Sequence, residues 1–188
     1  MLSVIIATRD SERPLVRTLA ALVPGATSGL ITEVLIADGG SNDDTPAVAD
    51  IAGCRLLVAD APLGDRLQAA AAAARAPWLM FLQPGIVLDT PWIGETRTFV
   101  ERPIGDPRAA VFRRARPAQS PLREAAALVV AALATRPRPE QGLVIAADFY
   151  RETGGHPEQA YDPESELLRR IGRRRLARLS ARAFRTNT

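Results

Sequence analysis

Short apolar runs that alternate with helical patterns constrain the fold of this chain more than any other feature. Residues 2–7, 34–37, 56–59 and 78–82 are apolar enough and short enough to be strands buried on both faces of a sheet. Between them lie stretches with helical spacing, of which the alanine-rich segment 65–75 is the clearest. Such alternation is typical of right-handed βαβ units. We therefore expect an α/β protein with three layers, α/β/α, around a mostly parallel central sheet.

The second half of the chain has a less regular pattern. Residues 109–112 and 142–147 have the composition of strands, and residues 120–135 that of a helix. Residues 169–185 hold eight of the 24 arginines and no acid, whereas the rest of the chain is net acidic. The simplest interpretation of this basic tail is a solvated helix face. Contact with nucleic acid, an anionic lipid surface or a phosphate-bearing ligand stays open.

Composition excludes several kinds of site and location. Cys54 is the only cysteine, so an intramolecular disulfide and a cysteine zinc cluster are both excluded. No basic segment precedes the apolar run at residues 1–7, so we expect no signal peptide. The longest apolar run without arginine, residues 125–134, is far short of the roughly 20 residues that a membrane span needs. We expect a cytoplasmic protein without a membrane span.

Polar loops follow three of the predicted strands, at residues 8–12, 38–43 and 83–89. Ligands bind beyond the carboxyl ends of the strands in sheets of this type. The chain has no glycine-rich dinucleotide motif and no Walker lysine loop after its first strand, so neither of those two modes of nucleotide binding is predicted. The carboxylate of Asp38 could instead accept hydrogen bonds from a base or a ribose hydroxyl, and the two glycines after it allow close approach.

A series of motifs then occurs in a fixed order along the chain. Residues 3–12 and 34–45 contain an opening strand with its loop, and a second strand that ends in Asp-Gly-Gly-Ser. Gly64 and Gln68 begin the alanine-rich helix that leads into the fourth strand. Four late segments complete the series: residues 140–144, 154–158, 164–170 and 180–185. Together these motifs resemble the family 2 glycosyltransferases, nearest to the small bacterial subfamily of arsenosugar-biosynthesis type.

This resemblance implies a glycosyltransferase A-type fold that binds a nucleoside diphosphate sugar, of UDP or GDP type, across its first four strands. The acceptor is unknown. Residues 1–188 would form a single domain, with a nucleotide-binding half at 1–90 and an acceptor-side half at 91–188. Glu164 matches the family's catalytic base, which removes the proton of the acceptor hydroxyl as its oxygen attacks. The residues implied for the donor are Thr8, Arg9, Glu12, Asp38, Gly39, Ser41 and Arg66, and those implied for the acceptor or diphosphate side include Glu140 and Gln141.

Two polar positions of the family pattern are lost in this chain. Gly85 stands where relatives carry the acid that holds Mg²⁺ or Mn²⁺ on the diphosphate, and Ala70 replaces an asparagine. Hard cations bind carboxylate oxygens, so we expect weak metal dependence or none. A diphosphate leaving group still needs positive charge, which Arg182 and Arg185 could supply.

The proposed roles have structural alternatives. Asp38 with Ser41 could only cap the next helix, Glu164 could be a carboxylate favoured by a helix dipole, and Glu140 could only order a loop. We expect His156 to be structural, because a lone histidine cannot form a zinc site. Trp78 is expected in the core, whereas Trp92 could pack there or line an acceptor groove.

The whole chain also has an alternative of another class, a catalytically degenerate relative that binds a nucleotide or a partner protein. A nucleotidyltransferase would need metal-binding acids, and a nucleic-acid-binding tail would give strongly salt-dependent binding. We expect neither of these two. Family precedent is compatible with a homodimer.

Overall fold

The computed structural model describes residues 1–102, 108–115 and 137–186. The strands of these segments are β1 Leu2–Thr8, β2 Ile31–Asp38, β3 Arg55–Val58, β4 Trp78–Leu82, β5 Ile86–Leu88, β6 Ala109–Arg114, β7 Leu143–Ala146 and β8 Leu176–Arg185. The helices are α1 Glu12–Thr27, α2 Thr45–Ile51, α3 Leu63–Ala73, α4 Trp92–Val100, α5 Ala147–Glu152 and α6 Pro163–Ile171. Two short 3-10 turns occupy Pro139–Gln141 and Arg173–Arg175.

The strands form one mixed sheet in the order β3-β2-β1-β4-β7-β6-β8-β5. Strands β1 to β4 are parallel to one another, and β8 is parallel to β6. Because β7 is antiparallel to both β4 and β6, strands β4, β6 and β8 run in the same direction. The carboxyl ends of β1 to β4, β6 and β8 therefore lie along one edge, which we call the carboxyl edge.

Helices cover both faces of this sheet. Apolar side chains of α1, α2 and α4 pack on one face with Val4 and Ile6 of β1, and those of α3, α5 and α6 pack on the other with Ile5. All three of these β1 residues are 0% exposed, as expected for a central strand whose successive side chains alternate between two covered faces. The α/β class and the three-layer arrangement are confirmed.

The predicted strands and helices of the first half agree with this architecture. Helix α1 begins after Ser11, although the Ser11 hydroxyl makes no capping bond, and the alanine-rich helix α3 begins two residues earlier than expected, at Leu63. Helix α4 was not predicted. The predicted helix at residues 120–135 lies outside the described segments. None of the helices in the described segments is long and apolar enough to cross a membrane.

The interpretation of the basic tail as a solvated helix face is wrong. Most of it is strand β8, in which Leu179, Ala181 and Ala183 are buried while Arg178 and Arg182 are exposed. This alternation has the period of a strand, and α4 packs against the buried side. Two carboxylates hold the strand in place from its flank, since Glu95 accepts from the N–H of residues 180 and 181 and Asp89 from the N–H of residue 182.

Candidate active site

A cavity of about 510 Å³ opens at the carboxyl edge of the sheet. Its lining includes Ser11 and Pro14 at the start of α1, Gln83 after β4, Glu164 of α6, and Arg185 at the end of β8. Elements that are far apart in the sequence therefore meet where a parallel sheet offers its ligand site. A larger cavity, of about 1030 Å³, lies at the opposite edge beside Trp78 and Ala146. We place the site in the smaller cavity, because the partly buried carboxylate of Glu164 lines it and because it follows the strand ends.

Asp38 organises the loop beside this cavity. Its carboxylate accepts hydrogen bonds from the hydroxyls of Thr8 (2.7 Å) and Ser41 (2.5 Å) and from the N–H groups of Gly40 (3.0 Å) and Ser41 (2.8 Å). Burial raises the pKa of Asp38, but these hydrogen bonds together outweigh it and the net pKa is lowered. Asp38 is 1% exposed, so the carboxylate holds the loop from within. Its contact with a base stays a prediction.

A second set of hydrogen bonds joins the loops after β1 and β2. Asp10, whose φ is +46°, accepts from the N–H of Asn42 (2.7 Å). Asp43 accepts from the N–H of Glu12 (3.0 Å) and from the hydroxyl of Thr45. Two loops about thirty residues apart in the sequence are thus held as one unit. Such coupling fixes the shape of the edge without any bound ligand.

Arg66 is half-buried against the same pair of strands. Its guanidinium donates to the carbonyl oxygens of Thr8 (2.9 Å), Ala37 (2.8 Å) and Ala61 (3.1 Å). A Cβ atom on Gly39 would lie 3.0 Å from the guanidinium carbon, so glycine allows the close approach. Burial lowers the pKa of Arg66 and the charge of Asp38 raises it, yet arginine stays protonated at neutral pH. The edge therefore carries a fixed positive charge.

Glu164 is the titratable group whose surroundings are most unusual at this edge. Its pKa is raised to about 7 as the net of several causes. Burial raises the pKa most, a hydrogen bond from Gln83 lowers it, and the negative charges of Asp162 and Glu140 raise it. The amide Nε2 of Gln83 donates to Oε2 of Glu164 at 2.6 Å. A carboxyl group that titrates near neutral pH can accept a proton and release it again during turnover. The arrangement thus fits a general base.

Local features of α6 place Glu164 at the cavity. Asp162 caps the helix by accepting from the N–H of Ser165 (3.0 Å), and Pro163 occupies the first turn, where its missing N–H costs nothing. Leu167, Leu168 and Ile171 anchor the helix in the core. The first turn, which carries Glu164, is thereby held against the carboxyl edge.

The turn Pro139–Gln141 brings a second carboxylate close to the first. Gln141 fixes the turn, because its Nε2 donates to the carbonyl oxygen of Phe112 (2.6 Å) and its Oε1 accepts from the N–H of Arg138 (2.9 Å). Oε2 of Glu140 is buried and has no hydrogen-bond partner among the described residues. Buried polar atoms are normally satisfied, so this oxygen lacks the donor that such an atom usually has.

The described residues do not fit the divalent cation that the family pattern implies. Gly85, at the position of the missing acid, has φ +86°, a conformation that favours glycine over aspartate. Its N–H donates to the carbonyl oxygen of Pro14 (3.1 Å) and the hydroxyl of Thr18 (2.9 Å), so the N–H of this turn is already bonded within the protein. In the described segments, no three carboxylate, histidine or cysteine side chains converge to hold a metal. Metal independence stays a prediction.

The remaining predicted site residues lie in different surroundings. Arg185 reaches the cavity, whereas Arg182 lies on the exposed side of β8. Arg9 is exposed and 3.9 Å from Asp60, a separation at which surface charges contribute little. Glu12 is partly buried at the start of α1 and bonds through its backbone only.

His156 and the motif around Gly64 are structural. His156 is 1% exposed, burial lowers its pKa to about 3, and its Nδ1 lies 2.8 Å from the hydroxyl of Tyr150. A Cβ atom on Gly64 would lie 2.1 Å from the carbonyl oxygen of Pro157, so glycine lets α3 dock on this turn. Gln68 donates to the carbonyl oxygen of His156 (2.5 Å).

Trp92 also packs in the core, at 2% exposed, and a Cβ atom on Gly25 would lie 2.4 Å from its ring. Trp78 is half-buried and packs edge-on against Phe99, with ring centroids 5.4 Å apart. Trp92 therefore does not line a groove.

Sequence reasoning missed two polar residues of the edge. Gln83 was noted only as part of the segment that lacks the metal-binding acid, although a glutamine at the end of a buried strand was the available signal. Arg113 was not singled out, because its neighbour Arg182 comes from a strand nearly seventy residues later.

Solved structures with this fold include transferases that bind uridine nucleotides. One is Staphylococcus aureus TarS 1–349, with a TM-score of 0.72, 13% identity, and coverage of 98% of this chain and 60% of that chain. Another is glucosyl-3-phosphoglycerate synthase from Mycobacterium tuberculosis with Mn²⁺, UDP and glucosyl-3-phosphoglycerate, with a TM-score of 0.70, 18% identity, and coverage of 100% and 72%. TarS with UDP-GlcNAc gives a TM-score of 0.70, 14% identity, and coverage of 100% and 59%.

The TM-scores establish the glycosyltransferase A-type fold, and the low sequence identities leave the substrates open. The chain spans only about three-fifths of the TarS fragment. No curated protein gave a significant sequence match. The sequence profile described as "Glycosyl transferase family 2" matches residues 3–103, which is more than half of the chain. The matched part includes the loops after β1 and β2 and Gly85. The protein is therefore a member of glycosyl transferase family 2.

Proposed function

We propose that this protein transfers a sugar from a nucleoside diphosphate sugar to a hydroxyl of an acceptor, without a strongly bound metal. The observation that carries the proposal is Glu164, a partly buried carboxyl group with a pKa of about 7 at the carboxyl edge of a family 2 fold. The finer placement in the arsenosugar-biosynthesis-type subfamily belongs to this proposal and rests on the motif series.

In the proposed reaction, Glu164 takes the proton of the acceptor hydroxyl while the oxygen forms a bond to the anomeric carbon. The bond from that carbon to the donor's diphosphate oxygen breaks, and the nucleoside diphosphate leaves with the electron pair. Arg66 and Arg185 supply positive charge at the two sides of the edge, and fixed charge of this kind stabilises a leaving diphosphate. Asp38, Thr8 and Ser41 act by holding the nucleotide-side loop.

Uridine nucleotides are the first donors to consider. The M. tuberculosis synthase and TarS were solved with UDP and UDP-GlcNAc respectively, and a shared fold supports a shared nucleotide pocket as a hypothesis. A cytoplasmic location and a homodimer stay expectations.

Calorimetric titration with UDP, GDP and dTDP, each with and without Mn²⁺, tests the donor half of the proposal. We expect one nucleotide to bind with micromolar affinity, with little change on adding Mn²⁺. Arg66→Met should weaken binding at least about tenfold, the loss expected when one charge-assisted hydrogen bond is removed. Arg97→Met, on the exposed side of α4, is the matched control and should bind like the wild type.

The second candidate is a degenerate relative that binds a nucleotide or partner without transfer. The closed turn at Gly85 and the apolar Ala70 favour it, since both remove polar groups from the diphosphate region. Tight nucleotide binding with no turnover of any nucleotide sugar would support this candidate. Turnover that disappears in Glu164→Gln would exclude it.

A further inference from the structure

Two arginines stand side by side on an open face of the sheet. Arg113 of β6 and Arg182 of β8 are partners in the parallel register, and both are exposed. Like charges at neighbouring positions on one face of a sheet repel each other. In the segments described here, no carboxylate pairs with either guanidinium. Within those segments, the repulsion between the two guanidinium groups is therefore not neutralised by a carboxylate.

This pair lies on the same side of the sheet as the helix that carries Glu164. Val111 belongs to the core beneath α6, and Arg113, two residues later, has its side chain on the same face. Phe184, 39% exposed, extends that face two residues beyond Arg182. The result is an open area with two cations and one aromatic ring beside the catalytic helix.

The open area is connected to the cavity through the backbone. The carbonyl oxygen of Phe112, next to Arg113, accepts the hydrogen bond from Gln141, which neighbours Glu140. At the rise of a strand, Arg185 lies about 10 Å along β8 from Arg182, and Arg185 lines the cavity together with Glu164. The side chain of Arg185 leaves the opposite face of the strand from that of Arg182, so the arginine pair and the cavity are neighbours along β8 and not parts of one face. A ligand that reaches from the pair to the cavity therefore passes the end of β8.

The cavity side of this area offers carboxylate oxygens that can accept a hydrogen bond from a hydroxyl group. Oε2 of Glu140 is buried without a partner, and the charge of Glu140 acts on Glu164, which places the two carboxylates close together. A hydroxyl that donates to Oε2 of Glu140 would satisfy an atom that has no partner among the described residues. The surroundings therefore call for a ligand with a hydroxyl at one end and an anionic group at the other.

We propose that the acceptor is a hydroxyl compound that also carries a phosphate or carboxylate group, and that Arg113 and Arg182 bind this anionic group while the hydroxyl meets Glu164. The inference rests on the proposed function and names its acceptor class. Guanidinium groups bind planar and tetrahedral oxyanions with paired hydrogen bonds. The transfer itself is unchanged: the hydroxyl proton goes to Glu164, and the donor's diphosphate departs as the new bond to oxygen forms.

A small anion fits this area better than a nucleic acid does. Glu140 and Glu164 lie towards the cavity, where the charge of Glu140 acts on Glu164, and Asp89 accepts a hydrogen bond from the backbone N–H of Arg182. Carboxylates so placed would repel a chain of phosphates that extended beyond the two arginines. The complementary charge is thus confined to a patch of about one oxyanion group.

Binding is tested first without any donor, so that the result does not depend on transfer activity. Inorganic phosphate, glucose 6-phosphate, glucuronate and glucose are titrated into the full chain, and the unfolding temperature and backbone amide shifts are recorded. Stabilisation by phosphate and glucose 6-phosphate identifies a phosphate site, and a stronger effect of glucuronate identifies a carboxylate site. Either outcome supports the proposal. No stabilisation by any of the three anions, from folded protein, overturns it.

The variants separate an anion site from a structural role. The double substitution Arg113→Gln and Arg182→Gln should keep or raise the unfolding temperature without anion, because a repulsion is removed, and should abolish the stabilisation by anions. Arg174→Gln, in the same arginine-rich stretch but at the other end of β8, is the matched control and should respond like the wild type. Loss of stability in the double variant without anion would assign a structural role and overturn the inference.

Donor and acceptor functions are then distinguished in one assay. With a donor that binds in calorimetry, we expect glucose 6-phosphate or glucuronate to accelerate nucleotide release, glucose not to, and the KM for the anion to rise at least about tenfold in the double variant. If the double variant loses affinity for the nucleotide instead, the arginines serve the diphosphate and the acceptor inference is wrong. If a single-stranded oligonucleotide binds more tightly than all three anions, with a steep salt dependence, the ligand is a nucleic acid. Absence of turnover alongside anion binding would count against the proposed function alone.

Discussion

Replacing Glu164 with glutamine should make the protein more stable at alkaline pH and leave it nearly unchanged in mild acid. The pKa of this carboxyl group is raised from 4.5 to about 7, with burial as the largest cause. The folded state therefore holds the proton more tightly than the unfolded chain does. The stabilisation that this proton provides is complete below the unfolded pKa and is lost as the pH rises through about 7.

The size of the effect follows from the shift. A difference of about 2.5 pKa units corresponds to about 3 kcal/mol, of which about 2 to 3 kcal/mol falls between about pH 5 and pH 8. Glutamine has nearly the shape of the protonated acid and cannot ionise, so Glu164→Gln removes this loss. The wild type should lose more unfolding free energy than the variant between those two pH values, by about 2 to 3 kcal/mol.

Urea denaturation at about pH 5 and pH 8 measures this difference directly, provided that the denaturant slope is the same for both proteins. Glu166→Gln is the matched control on the same helix. Glu166 pairs with Arg169 and Arg170, whose contacts lower its pKa, so its contribution is present above its unfolded pKa and is lost as the pH falls. Equal losses for wild type and Glu164→Gln would show that Glu164 is not a buried base and would refute the reasoning.

Three further outcomes follow from the packing. Gly64→Ala should destabilise the fold by about 1 to 3 kcal/mol, since its Cβ atom would lie 2.1 Å from the carbonyl oxygen of Pro157. The control Gly94→Ala is at a helix site with no atom within 4 Å of the added Cβ, and it should be neutral or stabilising by about 0.5 to 1 kcal/mol. Urea denaturation compares the unfolding free energies of the two variants. The ring signals of His156 should not move between about pH 5 and pH 8 in NMR spectra, because burial lowers its pKa to about 3; a midpoint in that range would mean that the ring is accessible. Asp38→Asn should cost about 1 to 3 kcal/mol near pH 7. The difference from wild type should shrink below about pH 4, because the stabilisation that comes from the lowered pKa of Asp38 is complete above the unfolded pKa and is lost as the pH falls through the folded one. A constant difference down to about pH 3 would contradict this account.

The first half of the fold was predictable because its signals are local. Strand β1 is apolar on both sides, and a short continuous apolar run that ends in a polar loop has few alternatives to a central parallel strand. The loop at residues 38–45 was also predictable in place, since an acid followed by two glycines and a serine marks a turn. The hydrogen bonds that hold this loop were not predictable, because the bond from Thr8 to Asp38 joins residues thirty positions apart.

The strand in the basic tail was not predicted, because the composition of the tail hides the alternation of buried and exposed side chains. Alanine is a good helix former and is small enough for either structure, so Ala181 and Ala183 gave no clear strand signal, while eight nearby arginines suggested a solvated face. Pairing with β6, and the covering helix α4, decide the outcome in favour of a strand. Such tertiary contacts override local propensity.

The chemistry of Glu164 depends on tertiary contacts in the same way. Its position followed from a motif, but its raised pKa requires burial, Gln83 at a sequence separation of 81, and Glu140 from another turn. The pairing of Arg113 with Arg182 likewise requires the register of two strands that are distant in the sequence. No local pattern contains this information.

The most direct test of the central claim is the pH dependence of nucleotide release from the donor that binds in calorimetry. Release is followed from about pH 5 to about pH 9 for the wild type, Glu164→Gln and the control Glu166→Gln. We predict that release by the wild type and the control rises with pH to a half-maximum near 7, where Glu164 loses its proton, and that Glu164→Gln releases almost none. Equal release by Glu164→Gln, or no release by a folded wild type that binds the nucleotide, would contradict the account.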